Sequence, residues 1–275
     1  MKVSYIIPHR NRVDLFRRNL DSLLAQTDKD FEAIVVDNSD LPFKYALDKT
    51  IEEYRAKGLD IKGFAIDPMK CKYSHSHGMY NNNYNPAVSI NVGVKQCVGD
   101  VIVLTSPEVV NAKTNIEEIK KCFSGAVSRF CLGWMEERAS NAIPNLANGI
   151  TSEQIKQICF AQGNGAKCRP EHWKPVNYFI GAMFKKDFVK IGGIDERYMI
   201  GIGFEDDCFA ARCEENGFPA ELVEEIAGVH LSHPRSYQGN LWKNPNNFIF
   251  KNKRALKVAN RGENWGSESY IVGTF

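Results

Sequence analysis

The segment VSYIIPHRNR at residues 3–12 decides the fold class of this chain, because it joins a buried strand to a polar turn. Its first half is an apolar, β-branched run that ends at Pro8, which is typical of a strand buried on both faces. Residues 13–25 then carry apolar side chains at helical spacing, and a second apolar run follows at residues 31–36. Strand, helix and strand in this order predict a right-handed crossover and a parallel sheet.

The same alternation continues through the first half of the chain. It predicts helices at residues 41–56, 87–97 and 114–123, and strands at residues 61–66 and 101–104. We therefore predict an α/β fold with a mostly parallel central sheet flanked by helices. Because ligands bind beyond the carboxyl ends of the strands in such sheets, the loops that open at Pro8, Asp37, Asp67 and Thr105 are expected to share one crevice.

The composition excludes several classes of protein. The 275 residues include 35 lysines and arginines against 33 aspartates and glutamates, a net charge of +2, so charge gives no reason to expect nucleic acid as the main partner. No apolar run approaches the roughly 20 residues that span a bilayer. The chain also lacks a signal peptide, so we expect a cytoplasmic protein whose eight cysteines are reduced thiols.

Polar residues after the first two strands are candidates for nucleotide binding. The first turn contains no glycine, which argues against a dinucleotide site and favours a mononucleotide site. Asp37 ends the second strand, where its carboxylate can reach a base or ribose, and Arg10 and Arg12 are suited to a diphosphate. An aspartate that caps a helix, beside solvated arginines, explains these residues equally well.

A single carboxylate follows the strand in VIVLTSPE at residues 101–108. Glu108 is suited to a divalent ion that bridges phosphates, although an exposed glutamate after a turn proline is an equally good interpretation. His230 and His233, in GVHLSH at residues 228–233, are candidates for further metal ligands, whereas a lone histidine with a structural role is commoner. His75 and His77 form a similar pair in a polar loop that suits either sugar binding or a plain surface position.

The stretch GGIDERYMIGIGFEDD at residues 192–207 is the most informative part of the chain. Four glycines within a dozen residues indicate backbone that turns tightly or approaches a ligand closely. Three successive acids then open a helix, where a single acid is enough to complement the helix dipole. A site in which one acid positions a hydroxyl and another deprotonates it explains the excess.

These pieces, in this order, resemble a family 2 type glycosyltransferase of the glycosyltransferase-A fold. The N-terminal resemblance rests on residues 3–12, on FEAIVVDNSD at residues 31–40 and on SINVG at residues 89–93. The block at residues 179–217, followed by GVHLSH, resembles the galactosyltransferase-type region of β1,4-galactosyltransferases and chondroitin polymerase. The resemblance implies one compound domain, with a nucleotide-sugar-binding half at residues 1–125 and an acceptor-binding, catalytic half at residues 126–275.

The resemblance also implies roles for individual residues. Asp206 is expected to be the catalytic base that deprotonates the acceptor hydroxyl, with Glu205 holding the acceptor or the donor sugar. Glu108 and His230, with His233 as a second candidate, are the expected ligands of Mn²⁺ or Mg²⁺. The residues expected to contact the donor or to shape its pocket are Pro8, Arg10, Asp37, Asn91, Ser106 and Gly203.

One departure from the family pattern concerns the metal. The family motif is Asp-x-Asp or Asp-x-His, whereas this chain has Ser106, Pro107 and Glu108 at that place. Ser106 does not supply the first charged ligand, so the ion is expected to depend on Glu108, a histidine and the diphosphate. The ion would neutralise the departing nucleoside diphosphate.

The sequence therefore predicts an inverting transferase that moves a sugar from a UDP-sugar to a hydroxyl of a glycan or glycoconjugate. The missing aspartate leaves a second hypothesis open, a non-catalytic module that binds a nucleotide-sugar or a glycan. A nucleotidyltransferase is a weaker third hypothesis, because it would need a glycine-rich phosphate loop after the first strand.

Overall fold

The computed structural model of the chain describes residues 1–39, 41–71, 73, 86–125, 127–138, 143, 148–161, 166–168, 180–218, 220–234, 244–253, 257–261 and 264–275. The histidine pair at positions 75 and 77 lies outside the described residues. The strands are β1 (Val3–His9), β2 (Phe31–Asp37), β3 (Ile61–Ile66), β4 (Val101–Thr105), β5 (Val109–Asn111), β6 (Phe130–Arg138), β7 (Ala166–Cys168), β8 (Ile180–Phe184), β9 (Ala220–Leu231) and β10 (Ile271–Thr274). The helices are α1 (Val13–Leu24), α2 (Leu41–Ala56), α3 (Pro86–Gln96), α4 (Asn115–Phe123), α5 (Ser152–Ala161), α6 (Lys185–Lys190), α7 (Glu205–Glu215) and α8 (Pro245–Lys253).

The strands form one sheet in the order β10-β3-β2-β1-β4-β8-β6-β9-β5, with β7 paired to β6. The segment β3-β2-β1-β4 is parallel, as the alternation of strands and helices predicts. The remainder is mixed, because β8 runs antiparallel to both β4 and β6, and β10 runs antiparallel to β3. The predicted α/β fold with a mostly parallel central sheet is confirmed, and one antiparallel strand, β8, lies within the sheet between β4 and β6.

Two apolar layers hold the helices on opposite faces of the sheet. Alternating side chains of β1 point to different layers: Tyr5 and Ile7 pack with Leu20 of α1, whereas Ile6 packs with Val92 of α3. This division follows from the two-residue period of a strand, and it explains why β1 is apolar at every position from Tyr5 to Ile7. A third, smaller cluster lies under α5 and β9.

Two properties of the chain bear on its sequence-based predictions. The six cysteines whose side chains are described have free thiols, as predicted, and five of them are buried. Within the described residues, no helix combines the length and the apolar character that crossing a membrane requires.

The packing of α3 on the sheet depends on Gly93. A Cβ atom at this position would lie 2.7 Å from Cγ2 of Ile6 and 3.2 Å from Cγ2 of Val36. Both neighbours are β-branched core residues whose rotamers are restricted, so they have little room to move. A small residue is therefore required where α3 crosses β1 and β2.

We predict that Gly93→Ala lowers the free energy of unfolding by about 1–2 kcal/mol, although alanine is the better helix former, because overpacking of the core outweighs helix propensity. Gly125→Ala is the matched control, since its Cβ would meet only Cγ2 of Val127, at 3.9 Å. Urea denaturation of both variants measures the difference. Equal stability of the two variants would contradict this account of how α3 is seated.

Candidate active site

The sheet topology brings three distant parts of the chain to one edge. The parallel strands β1, β2 and β4 end there at His9, Asp37 and Thr105. β9 pairs antiparallel with β5, so His230 lies opposite Val109. Val109 follows the end of β4 by four residues. A short connection joins α7 to β9, and the two elements pack against each other. Such a helix and strand run antiparallel, so we expect Glu205, the first residue of the helix, to lie toward the end of β9 that carries His230.

Glu108 is the centre of a buried charged cluster at this edge. Its Oε1 atom lies 2.8 Å from Nη1 of Arg12, 3.3 Å from Nε2 of His230 and 3.2 Å from Nε2 of His233. Glu108 is 4% exposed, and its backbone carbonyl accepts a hydrogen bond from the backbone amide of Leu231 at 2.9 Å. Burial opposes ionisation, but hydrogen bonds from both histidines and the charge of Arg12 outweigh it and hold the pKa of Glu108 well below its usual range.

The residues of this cluster fit a divalent cation. One donor atom from each of Glu108, His230 and His233 lies within 4.8 Å of the other two. The second carboxylate oxygen, Oε2 of Glu108, is buried and has no hydrogen-bond partner, and the same holds for Oγ of Ser106. A buried acceptor without a partner is costly unless a ligand completes it. A carboxylate with two imidazoles suits Mn²⁺ better than Mg²⁺, because nitrogen ligands favour transition metals.

Asp37 lies at the same edge in a pre-arranged polar setting. Its Oδ1 atom is 2.9 Å from Nδ1 of the fully buried His9 and accepts hydrogen bonds from both the backbone amide and the hydroxyl of Ser39. The ring of His9 packs on Phe16 at 5.2 Å between centroids, so the imidazole cannot turn away. Pro8 lies opposite Val36 of β2, and Arg10 follows β1 on the adjoining loop.

The glycine-rich loop before α7 is held by two asparagines from the start of α8. Asn244 accepts a hydrogen bond from the backbone amide of Ile202 at 3.1 Å, and Asn246 donates to the carbonyl of Gly203 at 2.8 Å. A side chain at Gly201 would not fit, because its Cβ would lie 2.2 Å from Oδ1 of Asn244. Gly203 is required for a different reason, since its φ of +68° is unfavourable for other residues.

The residue that leads into α7 is strained. Phe204 adopts φ 69° and ψ −11°, a left-handed conformation that bulky residues avoid. Its ring contacts that of Phe250 in α8, with 5.6 Å between centroids and 31° between planes. The contact offsets the strain, and it leaves an aromatic surface immediately before the acids of α7.

The acids at the start of α7 have strongly perturbed pKa values. Glu205, Asp206 and Asp207 are half-buried. Burial, and then the charge of Asp207, raises the pKa of Glu205 to about 7. Burial and the charges of Glu205 and Asp207 also raise the pKa of Asp206 well above its ordinary value. A carboxylate of raised pKa is a stronger base, which suits proton abstraction from a hydroxyl.

The structure does not bring every predicted residue to this edge. Asn91 is fully buried in α3, where its amide donates to the carbonyl of Ile194 at 2.8 Å and accepts from the amide of Ile194 at 2.9 Å. It also donates to Glu196, whose carboxylate accepts from the amide of Gly266. Asn91 thus anchors the start of the glycine-rich loop, which explains its buried position within the helix.

Other functional candidates were missed by the sequence analysis. His9 lies within an apparently ordinary strand end, and Asn244 and Asn246 lie in an asparagine-rich stretch without a recognisable motif. Their partners are 28 and more than 40 residues away along the chain, so no local pattern reveals them. The excess of asparagine near residues 244–247 was the only available signal for the second pair.

Sequence comparison identifies one family. Residues 4–121 match the sequence model of the Glycosyl transferase family 2. No curated sequence is similar enough to match.

Several solved structures share the fold. A fragment of S. aureus TarS bound to UDP is 18% identical, with a TM-score of 0.56 over 85% of this chain and 61% of that one. The mannosyltransferase PcManGT from Pyrobaculum calidifontis, with GDP-Man and Mn²⁺, is 15% identical, with a TM-score of 0.56 over 86% of this chain and 58% of that one. GalNAc-T7 with UDP, GalNAc and Mn²⁺ is 16% identical, with a TM-score of 0.60 over 87% of this chain and 44% of that one.

The present chain thus spans about three fifths or less of the length of these three proteins. At this level of identity, the structural likeness establishes the fold, and the match over residues 4–121 shows that this part of the chain is similar to the family. The galactosyltransferase-like character of the C-terminal block stays a prediction. The predicted resemblance is otherwise confirmed: this chain has the glycosyltransferase-A fold, and its residues 4–121 match the Glycosyl transferase family 2.

Proposed function

We propose that this protein transfers a sugar from a UDP-sugar to a hydroxyl of a glycan or glycoconjugate, with inversion and with assistance from a divalent metal. The observation that carries the proposal is the buried cluster of Glu108, His230 and His233 at the edge of the parallel sheet where β2 ends at Asp37. Residues 1–125 would bind the donor, and residues 126–275 would supply the base and the acceptor site.

The donor side of the site is suited to a nucleoside diphosphate. The carboxylate of Asp37, held by His9 and Ser39, offers an acceptor to the imide N–H of uracil. Arg10 and Arg12 follow in the same loop and would meet the diphosphate. TarS and GalNAc-T7 are seen with UDP, which supports uracil, whereas PcManGT is seen with a guanine nucleotide.

The metal would be held by Glu108, His230 and His233, with Ser106 as a neighbouring oxygen. When bound, it would neutralise the charge that develops on the departing diphosphate. The cluster is buried among protein atoms, and the low local polarity strengthens its interaction with the phosphates.

The reaction itself would depend on the start of α7. Asp206, with its raised pKa, would take the proton of the acceptor hydroxyl while the oxygen attacks the anomeric carbon from the side opposite the diphosphate. One displacement of this kind inverts the anomeric configuration. Glu205 would orient the acceptor by hydrogen bonding, and the adjoining surface of Phe204 and Phe250 would pack on the apolar face of a sugar ring.

We predict that Asp206→Asn lowers kcat by about a thousandfold or more, because the amide cannot accept the proton, while the Kd for UDP changes less than about twofold. Release of UDP and calorimetric binding of UDP measure the two effects. The matched control is Glu117→Gln, a first-turn acid of α4 that lies outside the site, and it should keep wild-type turnover. Wild-type turnover in the Asp206 variant would show that the base is misassigned.

The same substitution should change stability in a pH-dependent way. The carboxyl of Asp206 has a raised pKa, so its ionisation costs stability as the pH rises from its ordinary value of 3.8 through the raised value. Asparagine keeps the acceptor for the amide of Asp207 and carries no charge. We therefore expect Asp206→Asn to stabilise the protein by about 1–2 kcal/mol at pH 8, after allowance for solvent screening.

At pH 4 the gain from Asp206→Asn should be much smaller, because the wild-type carboxyl is then largely protonated. Thermal unfolding at both pH values measures the difference. Glu117→Gln should show the opposite sign at pH 8, since it removes a favourable charge from the start of a helix. A loss of stability in Asp206→Asn at pH 8 would mean that the acid cluster is not electrostatically strained.

For the metal, we expect Mn²⁺ to tighten UDP binding by about tenfold or more in the wild type and to have little effect in Glu108→Gln, which loses the charged ligand. Calorimetric titration with and without Mn²⁺ measures the effect. Glu53→Gln, which breaks an exposed ion pair with Arg17, is the control for loss of one carboxylate.

Glu108 is buried, and its carboxylate contacts Arg12, His230 and His233. Replacing a buried, paired charge is destabilising, so thermal unfolding must first show that Glu108→Gln is folded. His233→Gln, at a more exposed ligand, gives a second and milder test. If Mn²⁺ leaves UDP binding unchanged in the wild type and no donor sugar is turned over, the protein is a binding module instead.

A further inference from the structure

Arg12 and a divalent metal would compete for the same carboxylate. Nη1 of Arg12 donates to Oε1 of Glu108 at 2.8 Å, and Glu108 is the only carboxylate among the candidate ligands of the described cluster. We propose that Arg12 occupies Glu108 while the metal is absent, leaves it when the metal binds, and then contacts the diphosphate of the donor. This inference rests on the proposed function, and it adds a mechanism that couples the metal to the nucleotide.

Arg12 is placed so that it can move. Its side chain is 26% exposed, against 5% for Glu108, so the guanidinium can be rehydrated at little cost when it leaves. It occupies the N-cap position of α1, yet its side chain makes no capping hydrogen bond there. The preceding Asn11 has a left-handed φ of 54°, which marks a tight turn that projects residue 12 across the sheet edge.

The alternative partner of Arg12 is an anion at the start of α1. This helix runs for twelve residues, and its N-terminus carries a partial positive charge that favours phosphate. The arginine therefore lies between a carboxylate on one side and a favourable phosphate position on the other. The helix alone would not define a site, but the ion pair with Glu108 fixes the guanidinium within reach of both.

Charge makes the two states of Glu108 exclusive. Its Oε1 atom is already approached by Arg12, His230 and His233. A divalent ion on the same carboxylate would repel the adjacent guanidinium in a buried setting where charge interactions are strong. The ion therefore replaces Arg12, and the displaced guanidinium needs a new anionic partner, which a nucleoside diphosphate provides bidentately.

Cooperative binding follows from this exchange. The metal alone, or the nucleotide alone, must separate Arg12 from Glu108 before it gains full contacts. When both bind, the separation occurs once and serves both ligands. Each ligand then raises the affinity of the other by the same factor, as linkage requires. Arg12 would make metal loading depend on the presence of the donor and would keep the empty cluster charge-balanced.

The test uses Arg12→Gln with Mn²⁺ and UDP as the probes. We expect Mn²⁺ alone, measured by the loss of its free EPR signal, to bind about tenfold more tightly than in the wild type, since its competitor is gone. UDP in the presence of Mn²⁺ should bind about tenfold more weakly by calorimetry. The factor by which UDP tightens Mn²⁺ binding should fall accordingly.

Arg17→Gln is the matched control, because Arg17 lies on the same helix and forms an equally short, 2.8 Å pair with Glu53 away from the cluster. It should bind both ligands as the wild type does. Arg12→Lys, which keeps the charge but loses the planar fork, should give intermediate affinities and covers the case in which Arg12→Gln folds poorly.

Tighter Mn²⁺ binding in Arg12→Gln supports the exchange. Unchanged or weaker Mn²⁺ binding in this variant, with a wild type that binds Mn²⁺ normally, overturns it and leaves the proposed function standing. Failure of the wild type to bind Mn²⁺ even with UDP would instead overturn the metal-assisted function on which the inference rests.

Discussion

The buried carboxylate of Glu108 is the interaction on which the site depends. It joins the loop after β1, the end of β4 and the end of β9 through Arg12, His230 and His233. A buried charge is tolerated only when its partners are in place, so these three segments are held in register by one carboxylate. Asp37 ends β2, which pairs with β1, and α7 immediately precedes β9, so the positions of both depend on the strands that this cluster holds together.

The fold concentrates unfavourable features beside this cluster rather than spreading them over the surface. Three neighbouring acids open α7, and the residue before them has a strained backbone. Nearby contacts offset this cost. Asn244 and Asn246 form hydrogen bonds to the glycine-rich loop, and Phe204 packs against Phe250. Strain and raised pKa values at one site, within an otherwise well-packed core, are what a catalytic role would require.

The first half of the fold could be predicted from the sequence because its signals are local. Each parallel strand is a short apolar run, and each helix between them has a clear apolar period, so α2 begins and ends where it was predicted. β5, β6, β7 and β10 were missed. β6 contains Gly133, a residue that strands disfavour, and a Cβ at this position would meet Ile226 of β9. β10 is recognisable only by its pairing with β3 across the sheet.

The site was predictable to the extent that its residues stand at strand ends. Glu108, His230 and His233 could be named from sequence, and the structure brings them together. Their pairing with Arg12 could not, because it spans 96 residues and depends on strand order. Asn91 was predicted from a motif to contact the donor. In the structure its side-chain amide instead forms hydrogen bonds with the backbone of Ile194.

The central claim is that one edge of the sheet binds a metal and a nucleoside diphosphate together. The most direct measurement is a crystal structure with UDP and Mn²⁺, using anomalous scattering at the manganese absorption edge to locate the ion. The account predicts a single strong peak within bonding distance of Glu108 and His230 that also contacts the diphosphate, with uracil beside Asp37. A peak elsewhere, or UDP bound at this edge without any peak at Glu108, would contradict it.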